Sequence, residues 1–255
     1  MDLGLAGKRA IISGGSRGIG RTCARRLLEE GASVAFFARD QAAIDATVAD
    51  LSPLGPVHGY SADAFDYAAV AAWVDVAAEA LGGIDIVINN ATASGQLEWG
   101  RQGWLDNFAV DLMSCVAMND AALPWFEKAG GGAIVQIATI TAIEHHDMPI
   151  SPSYGAMKAA TINLTAQLAQ RWGPKNVRAN CVSPGPIQFP GGVWDSVQIS
   201  HPVEYERDRA QHPLKRLGTD DEVADVVVFL ASDRARWVNG ANVVVDGGYT
   251  KQVGF

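Results

Sequence analysis

Residues 9–24 read Arg9-Ala10-Ile11-Ile12-Ser13-Gly14-Gly15-Ser16-Arg17-Gly18-Ile19-Gly20-Arg21-Thr22-Cys23-Ala24, and this stretch decides the fold. An apolar run of strand length ends in glycines spaced Gly-x3-Gly-x-Gly, at Gly14, Gly18 and Gly20, and a helix-forming segment follows at once. Glycines there let the backbone turn sharply and come close to a phosphate group. The free N–H groups and positive dipole end of the following helix favour the charge of such a group.

Outward from this turn, short β-branched or apolar runs alternate with longer segments of helical periodicity, the pattern of repeated βαβ units closing a parallel sheet. The reading places strands at 9–13, 33–38, 57–60, 84–89, 133–138, 176–182 and 242–245. Helices fill the gaps at 18–30, 41–51, 67–81, 102–128, 153–172 and 220–231. The expected fold is therefore α/β, a doubly wound seven-stranded parallel sheet flanked by helices, with residues 1–255 forming one domain. The stretch 184–217 is long, irregular and rich in Pro, Gly, His and aromatic residues. Such a loop inside a compact domain usually serves as a lid, so residues 186–217 are expected to cover a substrate.

The chain has 255 residues, 48% of them apolar, which suffices to bury one large core. Its formal charge of -8 argues against nucleic acid or an anionic membrane surface as partner, since either requires clustered Lys and Arg. Residues 1–12 carry Asp2, Lys8 and Arg9 among short apolar stretches, unlike a secretory signal, and no apolar run approaches the roughly 20 residues that span a bilayer. A cytoplasmic location is expected. Cys23, Cys115 and Cys181 are widely spaced in apolar surroundings and read as buried small hydrophobes. No spacing of His, Cys and carboxylates suggests a metal.

The Ser13-to-Gly20 turn resembles the TGxxxGxG motif of the short-chain dehydrogenase/reductase family, with Ser13 in place of Thr. The resemblance runs along nearly the whole chain. Asp63 follows the third strand as the family's adenine-contacting Asp does, and Asn89-Asn90-Ala91 is similar to the NNAG motif. Tyr154-Gly155-Ala156-Met157-Lys158 is similar to YxxxK, residues 180–185 to the Asn-x-x-x-Pro-Gly segment, and Val245-Asp246-Gly247-Gly248 to the end of the last strand. This family resemblance implies a Rossmann-type fold and a nicotinamide dinucleotide. Its contacts would come from Gly14, Ser16, Arg17, Gly18, Ile19, Gly20, Arg39, Asp63, Ala64, Asn90, Tyr154, Lys158, Pro184, Gly185 and Ile187. The family's NAD-selecting acid falls on Ala38, and Arg39 follows, with Arg17 able to reach the same region. Two guanidiniums and no carboxylate at that position favour NADP(H), although Asp40 complicates the local field.

Tyr154 and Lys158 lie one helical turn apart on one face. A phenol with an ordinary pKa of about 10 is a poor base, but a neighbouring ammonium and an oxidised nicotinamide both favour the phenolate. The resemblance makes Tyr154 the proton donor or acceptor and Lys158 the group that holds the nicotinamide ribose. The family's serine falls on Thr139 by strand alignment, with Thr141 as the competing position. Its catalytic Asn falls on Asp111, whose carboxylate either tightens the Lys158 ammonium or is itself protonated. Thr92 replaces the glycine of NNAG, and the segment after Gly185 lacks the usual Thr, reading Pro186-Ile187-Gln188-Phe189. Ser151 and Ser153 read as helix caps, and His145 and His146 as candidate substrate contacts. Trp194, His201, Tyr205 and His212 read as pocket covers, and Trp104, Trp125 and Trp172 as helix-face packing.

The leading expectation is an NADP(H)-dependent oxidoreductase that interconverts a ketone and a secondary alcohol, with Thr139, Tyr154, Lys158 and Asp111 as catalytic group. The expected substrate is an oxoacyl, aromatic or alicyclic carbonyl compound. An NAD-linked alcohol or diol dehydrogenase and a dinucleotide-binding regulatory protein are the alternatives. The resemblance also implies a homotetramer or homodimer.

Overall fold

The computed structural model describes residues 2–93, 100–144 and 152–251. The chain runs β1 (Arg9–Ser13), α1 (Gly18–Glu29), β2 (Ser33–Ala38), α2 (Gln41–Leu51), β3 (Val57–Ser61), α3 (Tyr67–Leu81) and β4 (Ile86–Asn89). It continues with α4 (Arg101–Asn107), a π-helical segment (Phe108–Met113), α5 (Ser114–Ala129), β5 (Gly132–Ile137), α6 (Pro152–Trp172) and β6 (Val177–Pro184). The final part holds β7 (Ile187–Gln188), α7 (Val193–Ser200), α8 (Pro202–Gln211), β8 (Gly218–Thr219), α9 (Asp220–Ala231) and β9 (Asn242–Val245).

Seven strands pair in parallel in the order β3-β2-β1-β4-β5-β6-β9, the doubly wound single-domain α/β fold expected from the alternation of periods. Period two explains how each strand serves both faces. In β2, Val34 and Phe36 enter one core with Leu27 and Leu28 of α1 and Val227 of α9. Ala35 and Phe37 enter the opposite core with Trp73 of α3 and Phe126 of α5. Each such large apolar side chain contributes about 1.5–3 kcal/mol on burial, so the two cores fix the sheet as a rigid floor.

The strand order reverses between β1 and β4, and their carboxyl ends open a crevice of the kind in which ligands bind in doubly wound sheets. Three expectations need correction. Helix 102–128 is divided by the π-helical segment Phe108–Met113, because one extra residue is accommodated there. Stretch 184–217 is not irregular: it holds α7 and α8 on the short parallel pair β7 and β8. Short helices with a mixed apolar pattern gave no clear period in the sequence. Trp104 is also largely exposed rather than packed, whereas Trp172 is buried.

Candidate active site

The glycine turn is shaped by close approaches. A Cβ on Gly20 would lie 2.3 Å from the Gly14 carbonyl oxygen, and one on Gly15 would lie 2.4 Å from Phe36 Cβ. Ser13 Oγ accepts the backbone N–H groups of Asn90 (2.8 Å) and Ala91 (3.0 Å), and Asn90 Nδ2 donates to the Gly14 carbonyl at 2.9 Å. These bonds bind the ends of β1 and β4 together at the crevice. Helix α1 begins after Arg17 with no side-chain cap, leaving its first N–H groups available to an anion.

A cleft of about 900 Å³ runs from this turn to α6. Its wall includes Gly14, Ser16, Arg17, Ile19, Arg39, Asp63, Ala64, Asn90, Thr139, Tyr154, Lys158, Pro184, Gly185 and Ile187. Gly18, Gly20 and Asp111 lie outside that wall. Gly18 has φ +52°, and a Cβ there would meet the Phe189 ring at 2.6 Å. The guanidiniums of Arg17 and Arg39 are exposed and have no ion-pair partner among the described residues. Asp40 lines the same cleft, and its carboxylate caps α2 by accepting the N–H groups of Ala42 and Ala43. A cradle without Cβ atoms, an uncapped helix start and two unpaired guanidiniums fit the pyrophosphate and phosphate groups of a dinucleotide.

At the other end, α6 brings Tyr154 and Lys158 to the cleft beside the end of β5. Thr139 and Thr141 both line the cleft, and Thr139 Oγ donates to Thr141 Oγ at 3.2 Å. Lys158 is 2% exposed, and its Nζ donates to the Ile137 carbonyl at 2.8 Å and lies 3.1 Å from Asp111 Oδ1. Burial opposes its charge, but Asp111 more than offsets this, so the ammonium holds its proton above its ordinary range. Burial is likewise the largest influence on the Tyr154 phenol and pushes it above its ordinary value; Lys158 pulls it down, Asp111 pushes it up, and Thr139 lowers it. The protein alone therefore does not deliver the depressed phenol expected from the Lys158 spacing.

Asp111 is fully buried on the π-helical segment. Its Oδ2 accepts from Asn107 Nδ2 at 2.7 Å and from the Ala93 N–H at 3.3 Å. Asn107 in turn accepts from Ser153 Oγ at 2.8 Å. The Ser153 hydroxyl thus reaches across to Asn107 from the first turn of α6. Asn107 went unnoticed in the sequence; its i, i+4 spacing to Asp111 was the available signal. Phe189, whose ring stands where a Cβ on Gly18 would lie, was quoted in the sequence without a role.

Of the proposed pocket covers, Trp194 lines the cleft. Tyr205 instead donates to Gln188 Oε1 at 2.7 Å, buried His212 shares a hydrogen bond with the Asp208 carbonyl, and His201 is exposed. His145, His146 and Ser151 lie outside the described residues. The three cysteines are buried, and burial pushes Cys115 up to about 11 and Cys181 up to about 12. Among the described residues no group of three His, Cys, Asp or Glu could hold a metal ion, and no helix is long and apolar enough to cross a membrane.

The comparisons with known proteins agree with this geometry. A family model described as Enoyl-(Acyl carrier protein) reductase matches residues 14–250. Isoepoxydon dehydrogenase patN of Penicillium expansum is 36% identical over 97% of this chain and 96% of its own. D-threitol dehydrogenase of Mycolicibacterium smegmatis is 33% identical over 98% of this chain and 95% of its own. L-sorbose reductase from Gluconobacter frateurii, solved with NADPH and L-sorbose, superposes with a TM-score of 0.91 at 29% identity, covering 99% of this chain and 100% of that one. The chain belongs to the short-chain dehydrogenase/reductase family. Its relatives are oxidoreductases of alcohols and ketones.

Proposed function

We propose that the protein is an NADP(H)-dependent reductase that converts a ketone to a secondary alcohol. One observation carries the reading: a single cleft joins the phosphate cradle and two unpaired arginines at one end to Tyr154, Lys158 and Thr139 at the other. The dinucleotide, when bound, supplies the hydride. Arg17 and Arg39 would hold a 2′-phosphate, with Ala38 in place of a carboxylate at the end of β2 and Asp40 engaged in capping α2. Gly14, Ser16, Ile19, Asp63, Ala64, Asn90, Pro184, Gly185 and Ile187 would line the rest of the cofactor, and Gly18 and Gly20 keep the turn close. Thr139 would polarise the substrate oxygen by a hydrogen bond, and Tyr154 would give it a proton. Lys158 would hold the nicotinamide ribose, fixed in turn by Asp111.

NADP(H) is supported by the neighbours solved with NADPH or NADP, including a short-chain dehydrogenase from Burkholderia cenocepacia at TM-score 0.86 and 32% identity. The substrate reading of an alicyclic, aromatic or oxoacyl ketone widens to ketones bearing further oxygens, given relatives named for isoepoxydon, threitol and sorbose. Exposed Trp104, Leu105 and Phe108 and the outer strand β9 with Val244 support a homodimer or homotetramer. A cytoplasmic location and one domain over 1–255 complete the reading.

The test is a ketone panel of alicyclic, aromatic and hydroxylated members, followed by loss of NADPH absorbance, with Tyr154→Phe alongside. Turnover of one class by the wild type and its collapse in the variant are expected. A Tyr154→Phe enzyme as fast as wild type would remove the mechanism, and tighter binding of NADH than NADPH would overturn the cofactor assignment.

A further inference from the structure

The carboxylate at Asp111 stands where the resemblance leads one to expect a neutral amide, and three donor groups surround it. Oδ1 faces the Lys158 ammonium at 3.1 Å, while Oδ2 takes the Asn107 amide N–H at 2.7 Å and the Ala93 backbone N–H at 3.3 Å. Each of these groups is a donor. A protonated carboxyl would place its own hydrogen against one of them, so the arrangement fits the anion. The Asp111 main chain is held too, since Thr161 Oγ donates to its carbonyl at 3.0 Å. Ser153 anchors Asn107 from α6, so a hydrogen-bonded chain returns from the start of the catalytic helix to the carboxylate.

We propose that Asp111 is a positioning residue that makes Lys158 half of a charge-neutral buried pair and thereby keeps Tyr154 protonated, setting the site to donate a proton. This rests on the reading of Tyr154 as the proton-transfer group and deepens it. The groups that face the phenol are Lys158 from its own helix, Asp111 from the π-helical segment and the uncharged Thr139 hydroxyl from the end of β5. Cys115 of α5 acts on Lys158, and burial pushes its thiol up to about 11, so it adds no charge near neutral pH. With positive and negative charge both close by, little net field remains to stabilise a phenolate, and burial disfavours it. In reduction the dinucleotide, when bound, would supply hydride to the carbonyl carbon, while the phenolic O–H bond breaks, its proton joins the oxygen that becomes the alcohol hydroxyl, and the phenolate left behind recovers a proton from solvent. A phenol that holds its proton through neutral pH enters each such cycle in the required form.

The test needs no substrate. The ultraviolet absorbance of tyrosinate is titrated in the ligand-free wild type and in Tyr154→Phe, and the difference isolates Tyr154. The same subtraction is made for Asp111→Asn and its Tyr154→Phe double variant. In the wild type Tyr154 is expected to titrate above the ordinary value of about 10, and in Asp111→Asn at least about one unit lower than in the wild type. A wild-type value below that of free tyrosine would overturn the proposal, and so would an Asp111→Asn value equal to or above the wild-type one. A wild-type value below that of free tyrosine overturns the proposal even if Asp111→Asn does not fold. If the protein turned over no ketone at all, the oxidoreductase reading would fail while this titration still gave its answer.

Discussion

At one end of the cleft Arg17 and Arg39 stand in solvent with no ion-pair partner among the described residues, whereas at the other Lys158 is sealed between Asp111 and the Ile137 carbonyl. Both ends present cations to one cleft, yet their physics differs. An exposed, unpaired guanidinium is open to an incoming anion and is screened by salt. A buried ammonium already neutralised offers little net charge, so it serves by position and by the hydrogen bonds it directs. The exposed end is suited to choosing between dinucleotides and the sealed end to holding chemistry in register.

The contrast can be broken most strongly at the sealed end. Tyr154→Phe should lower the rate of ketone reduction by about 10²–10⁴-fold with NADPH binding retained, measured by turnover and by cofactor fluorescence. Lys158→Met strands the Asp111 carboxylate and should cost about 3–5 kcal/mol of stability in denaturant titration. A loss below about 1 kcal/mol, typical of surface pairs, would erase the distinction between the two ends. Arg39→Ala at the open end should leave stability unchanged and weaken NADPH about 10- to 100-fold with NADH little affected, as read by fluorescence titration. The smallest expected effect is that of salt: raising ionic strength should weaken NADPH more than NADH, because the 2′-phosphate contacts are the solvent-exposed ones.

How far this contrast could be read in the sequence follows the same division. β1, β2, α2, α3, α9 and β9 were legible to the residue because their patterns are local: runs buried on both faces, or a helical period closed by caps such as Asp40 and Thr219. Glycine spacing located the cradle, and the four-residue Tyr154 to Lys158 interval located the chemistry. What escaped was decided by long-range contacts. The meeting of the Asp111 carboxylate with Lys158, 47 residues away, came from the sequence only as one of two options implied by the family resemblance, because no local rule brings the two together. Gln188 offered no hint that it accepts from Tyr205 and donates to Gln198 at 2.7 Å, joining β7 to both α7 and α8. The direction of the Tyr154 displacement was missed for a related reason. Spacing shows the ammonium beside a phenol, but not the burial and the opposing carboxylate that outweigh it.

The widened turn at Phe108–Met113 carries a practical warning for anyone redesigning this chain. One residue removed there would close the widened turn to an ordinary 3.6-residue one, leaving the helix on either side facing as before but re-aiming the residues inside the turn. Asp111 lies inside it and would lose its present aim at Lys158. A deletion that looks like tidying an irregular helix would therefore dismantle the mounting of the lysine, while swapping residues at constant length would spare it.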